Sequence, residues 1–236
     1  MLYNHGRRHS RLSQKKLPTG ILFIDNNRID VYNSSKNAVV SIDFPQEVIK
    51  YSEVLDREKL HLQIKSLIET NKITPSSLIV ILAKNILFQK DFVKDQETEE
   101  QQELQAQEFI DNVPFESVGS KIVPLEKGIR VIAANADLYE SVMSTFQQLG
   151  FSIQSLLPIT LFGDEIQIER LTTESEKIFS GKSESLRKYS LISDSGNFVA
   201  GKEEEVKKKN NTMIIASVLM FIVAGVFVIF AVFFLK

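Results

Sequence analysis

Three histidines, a Gly-Lys pair and a dense acidic run are the side chains of this 236-residue sequence whose types could hold a metal, cradle a phosphate or move a proton. His5 and His9 stand in a segment without apolar periodicity, and His61 falls on the polar side of a helical pattern. Neither a zinc site nor a His-activated nucleophile finds its required neighbours there. Lys182 follows Gly181, but the two-glycine frame that lets backbone amides wrap a phosphate is absent. Asp95, Glu97, Glu99, Glu100, Glu103 and Glu108 have the spacing of a solvated helix face rather than of a cation loop. The expectation is a protein that is not an enzyme and uses no metal or cofactor.

The charge is blocky although its sum is only -2. Arg7, Arg8, Arg11, Lys15 and Lys16 form a basic arm with no acid before Asp25. Near an anionic leaflet each such cation gains about 1 kcal/mol, so contact with lipid headgroups is one role for Arg7, Arg8 and Arg11. Nucleic acid is disfavoured, because Tyr3 is the sole stacking platform in the arm. An unengaged tail is the plain alternative. The chain has no cysteine and so no disulfide framework, which suits a reducing compartment.

The elements that would position any site are readable in outline. Residues 1–17 read as a disordered basic arm and 18–163 as one α/β domain. Residues 20–25, 28–32 and 38–44 read as a three-strand meander with turns at Asp25-Asn26-Asn27 and Asn33-Ser34-Ser35. Leu60, Ile64, Leu67 and Ile68 recur at helical spacing over 56–71, with Asp56 as N-cap. The apolar run 78–82 reads as a strand covered on both faces. A helix over 96–111 is stopped by Pro114, and strands over 120–125 and 128–134 are joined by a turn at Glu126-Lys127-Gly128. Asp137 is expected to cap a helix with inward face Leu138, Val142, Phe146 and Leu149, which Gly150 ends before a strand at 151–156. Residues 164–211 read as a linker, with a hairpin at 188–200 where Tyr189, Leu191 and Ile192 face Phe198 and Val199.

From 213 to 235 the sequence carries no charge. At about 1.5 Å per residue this stretch spans roughly 35 Å, enough for a hydrocarbon core about 30 Å thick. Its Ile, Val, Leu and Phe residues sum to roughly 5 to 10 kcal/mol in favour of insertion. Residues 212–235 therefore read as a single-pass transmembrane helix. Lys202, Lys207, Lys208 and Lys209 precede it, so the positive-inside rule places residues 1–211 in the cytoplasm, with Lys207, Lys208 and Lys209 at the headgroups. Ser217, Ala224 and Ala231 recur every seven residues and line one face, which suits homo- or hetero-dimer packing in lipid.

The stretch Glu108-Phe109-Ile110-Asp111-Asn112-Val113-Pro114-Phe115, the strand pair after it, Val131-Ile132-Ala133-Ala134-Asn135 and the helix to Leu149-Gly150-Phe151 together resemble the PilM family and the cytoplasmic part of GspL. These are actin-like cytoplasmic proteins of type IV pilus and type II secretion machinery. The resemblance covers about residues 20–162. It implies a mixed α/β fold: a partial actin-like (ribonuclease H-like) lobe with an inserted subdomain, here followed by the transmembrane helix. It also implies partner contacts around Glu108, Val113, Pro114 and Phe115.

The departures bear on activity. Asp25-Asn26-Asn27-Arg28 stands where the family has a Gly- and Ser-rich phosphate loop, Leu157 stands where it has an Asp, and the second lobe is not recognisable beyond Gly163. The implied function is a membrane-anchored scaffold at the bacterial inner membrane, bound to platform proteins of a pilus or secretion system. The alternatives are a degenerate actin-like nucleotide-binding ATPase and a tail-anchored adaptor unrelated to pili.

Overall fold

A computed structural model of the chain describes residues 19–34, 36–93, 98–166 and 168–192. The basic arm and the uncharged stretch 213–235 lie outside the described residues, and so do Arg7, Arg8, Arg11, Lys207, Lys208, Lys209, Ser217, Ala224 and Ala231.

The first elements are β1 (Thr19–Ile24), β2 (Arg28–Asn33), β3 (Ala38–Asp43), the short pair β4 (Ile49–Lys50) and β5 (Glu53–Val54), α1 (Arg57–Thr70) and β6 (Ser77–Leu82). Next come β7 (Leu87–Val93), α2 (Glu99–Asp111), β8 (Val118–Leu125), β9 (Gly128–Asn135), α3 (Ala136–Gln148), β10 (Ser152–Pro158) and α4 (Thr173–Leu186). The main sheet has the order β10-β6-β1-β2-β3. In it β1, β6 and β10 run parallel, while β1-β2 and β2-β3 are antiparallel. The sheet is thus mixed, starting as a meander and continuing through parallel crossovers. The three-stranded sheet β7-β9-β8, together with α2, is inserted between β6 and α3.

The central strand explains the layering. Every residue of β6 is buried, as its unbroken apolar run requires of a strand covered on both faces. Leu78, Val80 and Leu82 join Leu22, Ile24, Leu60, Ile64, Val142 and Phe146 in the core under α1 and α3. Ile79 and Ile81 join Ile21, Phe23, Leu157, Phe162 and Phe179 on the opposite face, under α4. Asp56 caps α1 by accepting the Lys59 amide at 2.9 Å, as its place before the periodic run predicts. Gly150, at φ +89, follows α3 in the left-handed conformation that ends helices.

Several elements depart from the sequence reading. The cap of α3 is Asn135, not Asp137: Asn135 Oδ1 accepts the Asp137 amide at 3.0 Å, because β9 passes into the helix without an intervening loop. The strand β7 and the pair β4-β5 have no counterpart in that reading. In β7 only Phe92 is fully buried, so Leu87-Phe88-Gln89-Lys90-Asp91-Phe92-Val93 lacks a clean alternation. Within the expected linker 164–211, residues 173–186 form α4, started by a Thr172-Ser175 capping box. Its inward positions are Ser175, Phe179 and Ser183, spaced by four but carrying one large apolar side chain, which is why its periodicity is faint. Phe179 meets Phe162 edge to face at 4.9 Å. In the expected hairpin, Tyr189 lies in a 3-10 turn, Arg187–Tyr189, and the Leu191 amide bonds the Leu156 carbonyl at 2.9 Å on the free edge of β10. The facing arm, 193–200, lies outside the described residues. The expected start of the helix at Gln96 lies outside them too, and α2 begins at Glu99 behind the cap Thr98.

Candidate functional site: the strand ends and the inserted sheet

The C-terminal ends of β1 and β6 converge with the start of α3, the place at which open α/β sheets bind ligands. Here that place is filled by the chain's own side chains. The β1-β2 turn brings Arg28 Nη2 to 2.8 Å from Asp25 Oδ2, and Arg28 Nε donates to Asp30 Oδ1 at 3.2 Å. Asp25 Oδ1 accepts from the Asn26 amide at 2.7 Å and from Asn85 Nδ2 at 2.5 Å. Asp30 is fully buried, and its Oδ2 accepts the Leu171 amide at 2.9 Å. Arg28 also donates to the Glu169 carbonyl. The segment after β10 is thereby strapped over the turn.

Two carboxylates around one guanidinium leave the turn with a net negative charge. A phosphate loop needs the reverse: backbone amides and positive potential aimed at an open space. Phe23, Leu157 and Leu171 are buried beside this turn, so the strand end is packed as well as wrongly charged.

A second junction meets the first. Tyr51 and Ser52, at φ +52 and +64, form the two-residue turn between β4 and β5, a conformation that favours Asn-Gly. The turn is held from two sides. Ser52 Oγ donates to Asn26 Oδ1 at 2.7 Å, and the Ser52 carbonyl accepts Asn135 Nδ2 at 2.8 Å. Left-handed backbone at non-glycine residues costs energy and persists where surrounding bonds enforce it. Tyr51 itself is 78% exposed.

The insert carries the expected contact residues beside its sheet, Glu108 on α2 and Val113, Pro114 and Phe115 in the connection from α2 to β8. Directly paired residues share a face, so Phe88, Ala133 and Ser120 form one row and Lys90, Val131 and Ile122 the next. α2 covers the far part of this face through Ala106, which packs with Phe92 and Val131. Val113 is buried, Pro114 exposed and Phe115 half-buried, with its ring edge to face on Phe88 at 5.6 Å. Phe88 and Ile122 remain 36% and 43% exposed at opposite edges of the sheet, with Ser120 and Lys90 at the other ends of their rows. Glu108 is exposed on α2 and lines a separate groove of about 450 Å³ with Lys90, Gln105, Phe109 and Asn112.

On the other face of the insert, Arg130 donates to both oxygens of Asp91, at 2.7 and 2.8 Å, and to both of Asp164, at 2.7 and 3.0 Å. This fork ties the insert to the segment after β10. The Arg130 hydrogen bonds hold the Asp91 carboxyl below its usual range, and the two carboxylates raise the guanidinium's pKa in return. None of this ion-pair chemistry stands out in the sequence, since Arg130 lies 39 residues from Asp91 and 34 from Asp164.

No family model matches the chain, and no curated protein sequence matches it. Among solved structures it is similar to a PilM-PilN type IV pilus biogenesis complex, at 16% identity and a TM-score of 0.43, with 62% of this chain and 48% of that one covered. It is similar to the cytoplasmic domain of EpsL, an inner membrane component of the type II secretion system of Vibrio cholerae, at 15% identity and a TM-score of 0.38, with coverages of 63% and 60%. A Bacteroides thetaiotaomicron protein with an actin-like ATPase fold and unknown function is similar at 13% identity and a TM-score of 0.32, with coverages of 60% and 52%. The chain spans about half to three fifths of the length of the proteins it matches.

Proposed function

We propose that this protein is a non-catalytic scaffold held at the bacterial inner membrane, where it joins proteins of a type IV pilus or type II secretion platform through its cytoplasmic domain. The observation that carries the non-catalytic part is the closed strand end. Arg28 lies between Asp25 and Asp30, and the 169–171 segment covers it. A nucleotide there would have to displace a buried ion cluster and meet its carboxylates. The pilus or secretion assignment is supported by the motif resemblance from Glu108 to Phe151 and by the lobe-plus-insert topology. Contact through the insert is supported by the half-exposed Phe88, Phe115 and Ile122.

Membrane attachment is supported by the uncharged stretch 213–235 and the lysines before it. No helix among the described residues is long and apolar enough to cross a membrane. Capture of the full chain from solubilised membranes, with the bound proteins identified, tests the assignment. Recovery of inner-membrane proteins of a pilus or secretion platform is expected, with loss of recovery for Phe88→Glu. Recovery of unrelated proteins alone would leave the adaptor reading in its place.

A further inference from the structure

Between α1 and α3, on the face away from α4, runs an open groove of about 640 Å³ lined by Glu58, His61, Leu62, Glu140, Ser144 and Gln148, among others. Its carboxylates outnumber its cations. Arg57 is engaged with Asp137 at one end, which leaves Glu58 and Glu140 without a paired cation among the ion pairs of the described residues. Glu58 lies in the first turn of α1, where an acid complements the helix dipole. Glu140 lies further along α3 and has no such reason. Burial and the neighbouring Asp137 charge raise its pKa, with Arg57 only partly opposing them. A half-buried carboxylate in negative surroundings is a place for an added cation.

We propose that the basic arm of this same chain, residues 7–16, docks along the α1-α3 groove with its cations on Glu58 and Glu140. The path is short. β1 starts at Thr19, paired with Ser77, and Ser76 bonds Ser152 just beyond the C-terminal end of α3. A Cβ on Gly150 would lie 3.5 Å from Pro75, so β1 begins on the side of the fold where the Gln148 end of the groove lies. Arg11 is eight residues before Thr19, a reach of up to ~27 Å, while Asp137 to Gln148 spans about 17 Å of helix. Arg7, Arg8, Arg11, Lys15 and Lys16 are the complementary charge, with no acid among them. Individual exposed ion pairs are weak, but a short tether supplies an effective concentration on the order of millimolar, so weak pairing is enough to occupy the groove.

The absence of cysteine makes the test direct. Ser13→Cys is combined with Ser144→Cys in the groove or, as control, with Ser41→Cys, exposed on β3 and facing away from the α1-α3 layer. The full chain in zwitterionic nanodiscs is treated with a short bismaleimide. Cross-linking at Ser144→Cys is expected to exceed the control clearly. It is expected to fall about fivefold when Glu58→Gln and Glu140→Gln are added, and to fall similarly in 0.5 M NaCl, where the screening length is about 4 Å. Equal yields at the two positions, or a groove yield indifferent to both charge removal and salt, would overturn the proposal. Equal yields together with protection of the arm only in anionic discs would assign it to the leaflet instead.

Discussion

Arg28 reaches back across the β1-β2 turn to Asp25, 2.8 Å away, and so occupies with its own guanidinium the corner that a phosphate loop would leave open. Both side chains are nearly out of solvent, at 11% and 12% exposure, and Asp30 behind them is at 0%. A cluster of this kind is costly to desolvate and costly to break, because removing one partner strands the others. Arg28→Ala is therefore expected to destabilise the fold by about 3 to 5 kcal/mol in denaturant titration. A loss under about 1 kcal/mol would mean that water reaches the cluster and that the turn is not closed as described.

Gly119 and Tyr139 are coupled by contact. A Cβ at Gly119 would sit 1.8 Å from the Tyr139 hydroxyl oxygen, where β8 crosses α3. Gly119→Ala should cost about 1 to 3 kcal/mol through overpacking. Tyr139→Phe removes the nearest clashing atom but leaves the ring Cζ at 2.9 Å, so the double variant should recover part of that loss. Strictly additive effects would mean that the two positions do not share the space.

Phe115 rests on a ring that is itself 36% exposed, which bounds its share of the core. Phe115→Ala is expected to cost about 1 to 2 kcal/mol, part of it the lost ring pair, and to leave the chain folded. The variant can then be used in capture experiments. A loss of about 3 to 5 kcal/mol, the usual figure for a fully buried Phe, would make it a core residue only.

Tyr51 carries positive-φ strain in a turn whose geometry suits Asn or Gly. Tyr51→Asn should stabilise the domain by about 0.5 to 1 kcal/mol, since Asn tolerates the left-handed region. Thermal unfolding of the variant checks this. A lower midpoint would show that packing of the tyrosine ring outweighs the strain.

Two carboxylates set opposite pH dependences. Asp91, lowered by Arg130, contributes stability that is fully present above the ordinary aspartate value of about 4 and is lost as pH falls through its depressed value. Glu140, raised by burial, is a liability that grows as pH rises from about 4.5 through its elevated value. With residues 1–17 removed, so that no arm cation meets Glu140, Glu140→Gln should stabilise slightly at about pH 7 and not at about pH 4, while Asp91→Asn should destabilise at about pH 7 and approach the parent as pH falls below about 4. Unfolding curves at these pH values distinguish the two. Parallel curves at every pH would contradict the ion-pair account.

Much of the scaffold was legible because its signals are local. The β6 run, the Leu60-Ile64-Leu67 stripe of α1, the Glu126-Lys127-Gly128 turn and the Gly150 stop each follow from a few adjacent residues. α4 was not legible, because two of its three inward positions are serines that small-residue packing buries as readily as an apolar side chain. β7 was missed because one edge of the insert leaves Phe88, Gln89 and Lys90 exposed in succession. The strand-end cluster shows only half of itself in the sequence. The missing glycines at Asp25-Asn26-Asn27 were visible, but the closure by Glu169 and Leu171 arrives from 141 residues away.

The most direct test of the closed strand end is calorimetric titration of the full chain, in detergent, with ATP and magnesium up to about 1 mM. No saturable heat is expected, and none is expected to appear at any magnesium level. Binding tighter than about 100 μM, roughly 5.5 kcal/mol, would contradict the account and return the protein to the nucleotide-binding class.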